Sequence, residues 1–69
     1  MVKEVKITTE YITLGQMLKF VGKIDSGFLA KLYLSDHFAL VNGEKEQRRG
    51  KKLYRGDHIV IENEEFLIE

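Results

Sequence analysis

The chain has 69 residues, 43% apolar and 32% charged, with eleven Lys and Arg balancing eleven Asp and Glu. That composition is ordinary for a globular protein, and a chain this short buries only roughly 60% of its unfolded surface, so one small domain over residues 1–69 is expected. With no cysteine there is no disulfide, thiolate metal site or thiol nucleophile, and with no long apolar window and no signal-like N-terminus the expectation is a soluble, cytoplasmic protein without a membrane partner.

From Val2 to Ile12 the β-branched residues Val5, Ile7 and Thr9, then Tyr11 and Ile12, predict a strand leading into a first helix. Thr13 followed three residues later by Gln16 has the form of a capping box. Leu14, Met17, Leu18 and Val21 then recur at helical spacing until Gly22 provides a stop. A second helix is predicted from Ser26, a candidate N-cap, to about His37, with Leu29, Ala30, Tyr33 and Leu34 on one face and Phe28, Lys31 and Ser35 on the other. Lys23 to Asp25 are too few to do more than join the helices as a hairpin or angled pair.

Helical periodicity then ceases. Phe38 to Val41 reads as a strand ending in the turn pair Asn42-Gly43, and Gly56-Asp57 is a second turn signal. His58 to Glu62, a turn at Asn63-Glu64 and Glu65 to Ile68 complete the pattern. The predicted fold class is α+β: an N-terminal strand, two packed helices, then a small antiparallel sheet.

Charge is distributed unevenly along this frame. Lys45 to Arg55 holds six basic side chains and one acid, whereas Asp57, Glu62, Glu64, Glu65 and Glu69 follow with no Lys or Arg among them. A balanced net charge therefore conceals a local cationic patch. Arg48, Arg49 and Arg55 offer guanidinium forks for phosphate, and Lys51 and Lys52 offer adaptable point charges, with Gly50 between the two pairs. The same run is also compatible with a solubilising loop between strands.

The stretch from Thr13-Leu14-Gly15-Gln16 through Ser26, Val41-Asn42-Gly43 and Gly56-Asp57-His58-Ile59 resembles the αL RNA-binding motif, the S-four-like RNA-binding domain. It also resembles short stand-alone bacterial proteins of the YaaA type, which share the Thr-Leu-Gly-Gln opening and an Arg-Arg-Gly-basic-Lys-Leu-Tyr segment. The resemblance implies a non-catalytic protein that binds structured RNA, ribosomal RNA or tRNA, through the helix pair and the adjoining loop. Many relatives open the first helix with Arg-Leu-Asp and carry Arg after the Ser of the second. Here Thr13-Leu14-Gly15 and Ser26-Gly27 stand instead, so the implied RNA-binding residues are Lys19, Lys23, Lys31, Arg48, Arg49, Lys51, Lys52 and Arg55.

Other chemistries find little in the sequence. Ser35-Asp36-His37 has the residue types of a catalytic triad, but sequence neighbours do not form the Ser to His to carboxylate relay, and polar residues at a helix end account for them. His37 and His58 lack ligand spacing, so neither a metal nor any other cofactor is expected. A protein-interaction adaptor using the acidic C-terminal strand or a sheet edge is the alternative of a different class, and DNA binding a third. Phe28 and Tyr54 admit either packing or base stacking, packing against the N-terminal strand being the preferred reading for Phe28.

Overall fold

The computed structural model describes residues 1–69. In chain order it contains β1 (Val2–Val5), β2 (Tyr11–Thr13), α1 (Leu14–Phe20), α2 (Leu29–Asp36), β3 (Ala39–Val41), β4 (Glu44–Glu46), β5 (Lys52–Tyr54), β6 (His58–Ile61) and β7 (Glu64–Ile68). Five strands form one sheet in the order β1-β7-β6-β3-β4, and β2 pairs with β5 in a separate antiparallel ribbon. The α+β class is as predicted, but the main sheet is mixed: β1 lies parallel to β7, with Val5 opposite Ile68. A parallel neighbour needs a long crossover, and here the helix pair and the intervening strands provide it.

The predicted N-terminal strand is interrupted. Its first part adds to the main sheet, and after a bend its second part, Tyr11–Thr13, joins the ribbon with β5. Thr13 then closes the capping box: its hydroxyl accepts from the Gln16 N–H at 3.2 Å, and its own N–H donates to Gln16 Oε1 at 2.9 Å. At the other end, Lys23 N–H bonds to the Leu18 carbonyl and Gly22 N–H to that of Lys19, the paired bonds of a Schellman motif. This stop sets the direction in which Lys23 leaves the helix.

The second helix begins later than expected. Ser26 to Phe28 form a turn, in which the Ser26 carbonyl accepts from Leu29 N–H, and Phe28 occupies the N-cap position with no side-chain capping bond. Ser26 is therefore not the cap. Of the four residues assigned to the buried face, Ala30 and Leu34 are buried, Tyr33 is half-buried and Leu29 is exposed.

Asn42 and Gly43 both have positive φ, as a tight hairpin between β3 and β4 requires. The last hairpin turns on Glu62 and Asn63, with φ of 50° and 68°, one residue before the predicted Asn63-Glu64. The cross-strand pair Ile61 and Glu64 fixes that register, because it keeps Ile59, Ile61, Phe66 and Ile68 on one face.

The core lies between that sheet face and the helices. Leu14, Met17, Leu18, Ala30 and Leu34 from the helices pack in one cluster with Val5, Ala39, Val41, Ile59, Ile61, Phe66 and Ile68 from the sheet, joined by Ile24 and by Leu53 of the ribbon. The two turn motifs of the sequence are a single unit. Asn42 Oδ1 accepts from His58 N–H at 2.9 Å and Asn42 Nδ2 donates to Asp57 Oδ1 at 3.1 Å, while Asp57 Oδ2 accepts from Tyr54 N–H at 2.8 Å. No helix is long and apolar enough to cross a membrane.

Candidate nucleic-acid interface

The basic run is not one loop. Glu44–Glu46 is strand β4, Lys52–Tyr54 is strand β5, and only residues 47–51 connect them. That connection is fastened to both helices. Gln47 Nε2 donates to the Leu34 carbonyl of α2 at 2.9 Å. Across from it, the carbonyls of Arg49 and Lys51 accept from the N–H groups of Gly15 and Leu14 at 2.9 and 2.8 Å. Together with the Thr13 hydroxyl, they satisfy the donors that a helix start otherwise leaves open.

This contact gives Gly15 its reason. A Cβ there would meet Ala30 Cβ at 3.3 Å and the Arg49 carbonyl at 3.4 Å, so the glycine lets α2 and the basic segment approach α1 without either having to give way. Gly15 is thus a packing point.

Arg48 is held from one side. Its Nε and Nη2 donate to the two Glu46 carboxylate oxygens at 2.9 and 3.1 Å, and its backbone N–H donates to Oε2 at 3.0 Å. The Glu46 side chain is only 11% exposed and that of Arg48 77%, so the acid acts as a sheltered bracket for an outward-facing guanidinium. These bonds from Arg48, with the charge of Lys51 adding to them, hold the Glu46 carboxyl down at about 2. The Nη1 edge of Arg48 takes no part in the pair and retains its donors.

Five of the eight sequence-predicted residues come together. Lys31, Arg48 and Arg49, with Ser35 and Gln47, line a concavity of about 450 Å³ between α2 and the segment after β4. Lys51 and Lys52 flank an adjoining depression with Arg48 and Tyr54. Lys52 also lies over the Tyr11 ring, 4.9 Å from its centre. Lys19 is exposed on α1, one turn beyond Gly15.

Two of the eight are committed elsewhere. Lys23 forms an ion pair with Glu64, which also holds Lys3 at 2.7 Å. The hydrogen bond to Glu64 raises the Lys23 pKa, and the bonds from Lys23 and Lys3 lower that of Glu64 to about 2. Arg55 donates through Nη2 to the Ile7 carbonyl at 2.8 Å, bracing the connection between β1 and β2.

Phe28 does not pack against the N-terminal strand; it is 71% exposed. Tyr54 is partly exposed, its ring tilted against that of Tyr11 at 5.8 Å between centres. Sequence reasoning missed Gln47 and Glu46, the residues that anchor the segment. A Glu two positions before an Arg along an extended chain is a signal for the second, whereas nothing local marks a glutamine that reaches a carbonyl thirteen residues away. His37 stacks on Tyr33 at 4.5 Å, and Ser35 Oγ donates to the Leu32 carbonyl, so neither belongs to a relay.

The model of the S4 domain family matches residues 5–69, including every residue of the site just described. The chain belongs to the S4 domain family. It is also 53% identical, over 62 residues, to the probable ribosome maturation protein RlbA of Bacillus subtilis (strain 168), an alignment covering 90% of this chain and 87% of that protein. Within this S4 chain, Gly15 and the fastened basic segment are the local features that shape the site.

Proposed function

We propose that the chain is a non-catalytic, cytoplasmic RNA-binding protein whose single domain, residues 1–69, recognises structured ribosomal RNA. The observation that carries this reading is the fastening of residues 47–51 to both helices, which holds Arg48, Arg49 and Lys31 around one concavity. A flexible basic loop would lose side-chain and backbone freedom on binding phosphate; a segment already ordered in the free protein loses less. Phosphate contacts from a fixed surface read the spacing of a folded backbone rather than base sequence, as suits structured RNA. Membership of the S4 domain family supports RNA as the polymer, and the name of the Bacillus relative favours ribosomal RNA over tRNA.

The proposed contacts are Arg48, Arg49, Lys31, Lys51 and Lys52, with Lys19 at the margin. If these neutralise about four to six phosphates, log K against log salt should fall with a slope of about −3 to −5. Titration of the protein into fragments of folded ribosomal RNA at several salt concentrations measures that slope. A flat response would overturn the reading, and so would equal competition by duplex DNA of the same length, since DNA lacks the A-form spacing and 2′-hydroxyls.

A further inference from the structure

We propose that Phe28 is a stacking platform for an unpaired nucleobase, adjoining the phosphate-binding concavity. The proposal rests on the RNA reading above and goes beyond it, because it states that the bound RNA presents a bulged or looped-out base. Phe28 occupies the N-cap position of α2, where Ser, Thr, Asp or Asn would supply the helix with a capping oxygen and where no side-chain cap exists here. Helix stability therefore does not account for the residue. Neither does packing, since Phe28 is 71% exposed and the Leu32 beside it 59%.

At about 100° per residue, positions 28, 31, 32 and 35 fall on one stripe of α2, opposite the buried Ala30 and Leu34. Lys31 and Ser35 of that stripe line the concavity with Arg48 and Arg49. One face thus runs from an exposed aromatic ring to a group of phosphate-binding cations within about two helical turns. A bulged nucleotide combines a flat π-surface with a phosphate on either side, so its base can lie on Phe28, against Leu32, while its backbone follows Lys31 towards Arg49. Phenylalanine has no polar handle, and the contact would accept any base.

A protein partner is disfavoured by area. A stable protein interface covers on the order of 800 Å² on each side, far more than one ring and one leucine provide. The other strongly exposed ring on the helices, Phe20, lines a different hollow with Lys6 to Ile12.

The test uses the full chain and two RNA hairpins, one fully paired and one with a single bulged 2-aminopurine whose fluorescence reports stacking. The wild type should quench the bulged probe, and F28A should lose the quenching and bind that hairpin about five- to a hundredfold more weakly, with the paired hairpin little affected. F28W should retain both affinity and quenching, and the exposure of the site leaves all three proteins folded. Equal binding of the two variants to both hairpins, with the wild type still binding, would overturn the platform and leave the RNA reading standing; the ring would then face a protein. Failure of the wild type to bind either hairpin at low salt would overturn the RNA reading itself, and the platform with it.

Discussion

Two places in this molecule gather opposite charges, and they differ in what is left over. At the β6–β7 turn, Glu64 draws in Lys3 and Lys23, while Glu62 of the same turn accepts a hydrogen bond from the Tyr33 hydroxyl. Burial, then the bond to Glu62, pushes the Tyr33 pKa up. The acids there tie the sheet to α2 and to the chain leaving α1, and the cations are used up in doing so. At the segment after β4, Glu46 holds one edge of one arginine, and Lys31, Arg49, Lys51 and Lys52 have no acid bonded to them. Equal charge types thus make a clamp in one region and an open cationic surface in the other, according to whether each cation has a carboxylate within reach.

Breaking the open surface should have the largest effect. Replacing Arg48 and Arg49 together by Ala should weaken binding to folded RNA by about one to two orders of magnitude, since each removes charge-assisted hydrogen bonds. The thermal midpoint should fall only modestly, since Arg49 is exposed and the stability lost is that of the single Arg48–Glu46 pair. Filter binding and calorimetry on the same protein would show whether the losses separate in this way.

The support beneath the surface should be next in magnitude. Gly15→Val places a branched side chain against Ala30 and the Arg49 carbonyl, and should destabilise the fold by about 1–3 kcal/mol through overpacking. Because the displaced segment carries the arginines, RNA affinity should fall as well, although no charge has changed. Chemical denaturation combined with the salt titration distinguishes this outcome from a purely local effect.

Acid should act on both regions through their carboxylates. The Glu46 and Glu64 carboxyls lie at about 2, against an ordinary value of 4.5. Folded values below unfolded ones mean that these pairs favour the fold fully above pH 4.5, and that the contribution disappears as pH falls towards 2. Thermal midpoints across that window should therefore decline, and should decline less steeply in Glu64→Gln, which starts lower at neutral pH.

The smallest effect on binding is expected at the clamp. Lys23→Met should leave RNA affinity within about twofold, because the cation it removes is already neutralised and contributes little to the long-range field. Its thermal midpoint should nonetheless drop measurably. A loss of affinity comparable to that of the arginine pair would erase the distinction between the two regions.

Much of the fold could be read from local patterns. The capping box at Thr13 and Gln16, the stop at Gly22 and the turn at Asn42-Gly43 each depend on neighbours in sequence, and each is present. Less legible were features set by distant partners. The second helix starts at Leu29 rather than Ser26, and the last turn falls on Glu62-Asn63 because the cross-strand register outweighs the poor fit of Glu to positive φ. In the candidate site, the residue types and the Arg48 to Lys52 segment were evident from charge alone. Lys23 and Arg55 were not separable from the others, because their partners, Glu64 and Ile7, lie 41 and 48 positions away.

The sequence by itself determined the α+β pattern, the two helices and the concentration of cations between two turn motifs, since periodicity, capping and composition are short-range properties. Tertiary structure alone decided that β1 would lie parallel to β7, that Asn42 and Asp57 would lock the two turns together, and that Gly15 would admit the basic segment to the start of α1. It also decided which cations remain open. A salt bridge or a close backbone approach depends on distances that the folded core sets, and no local pattern encodes them.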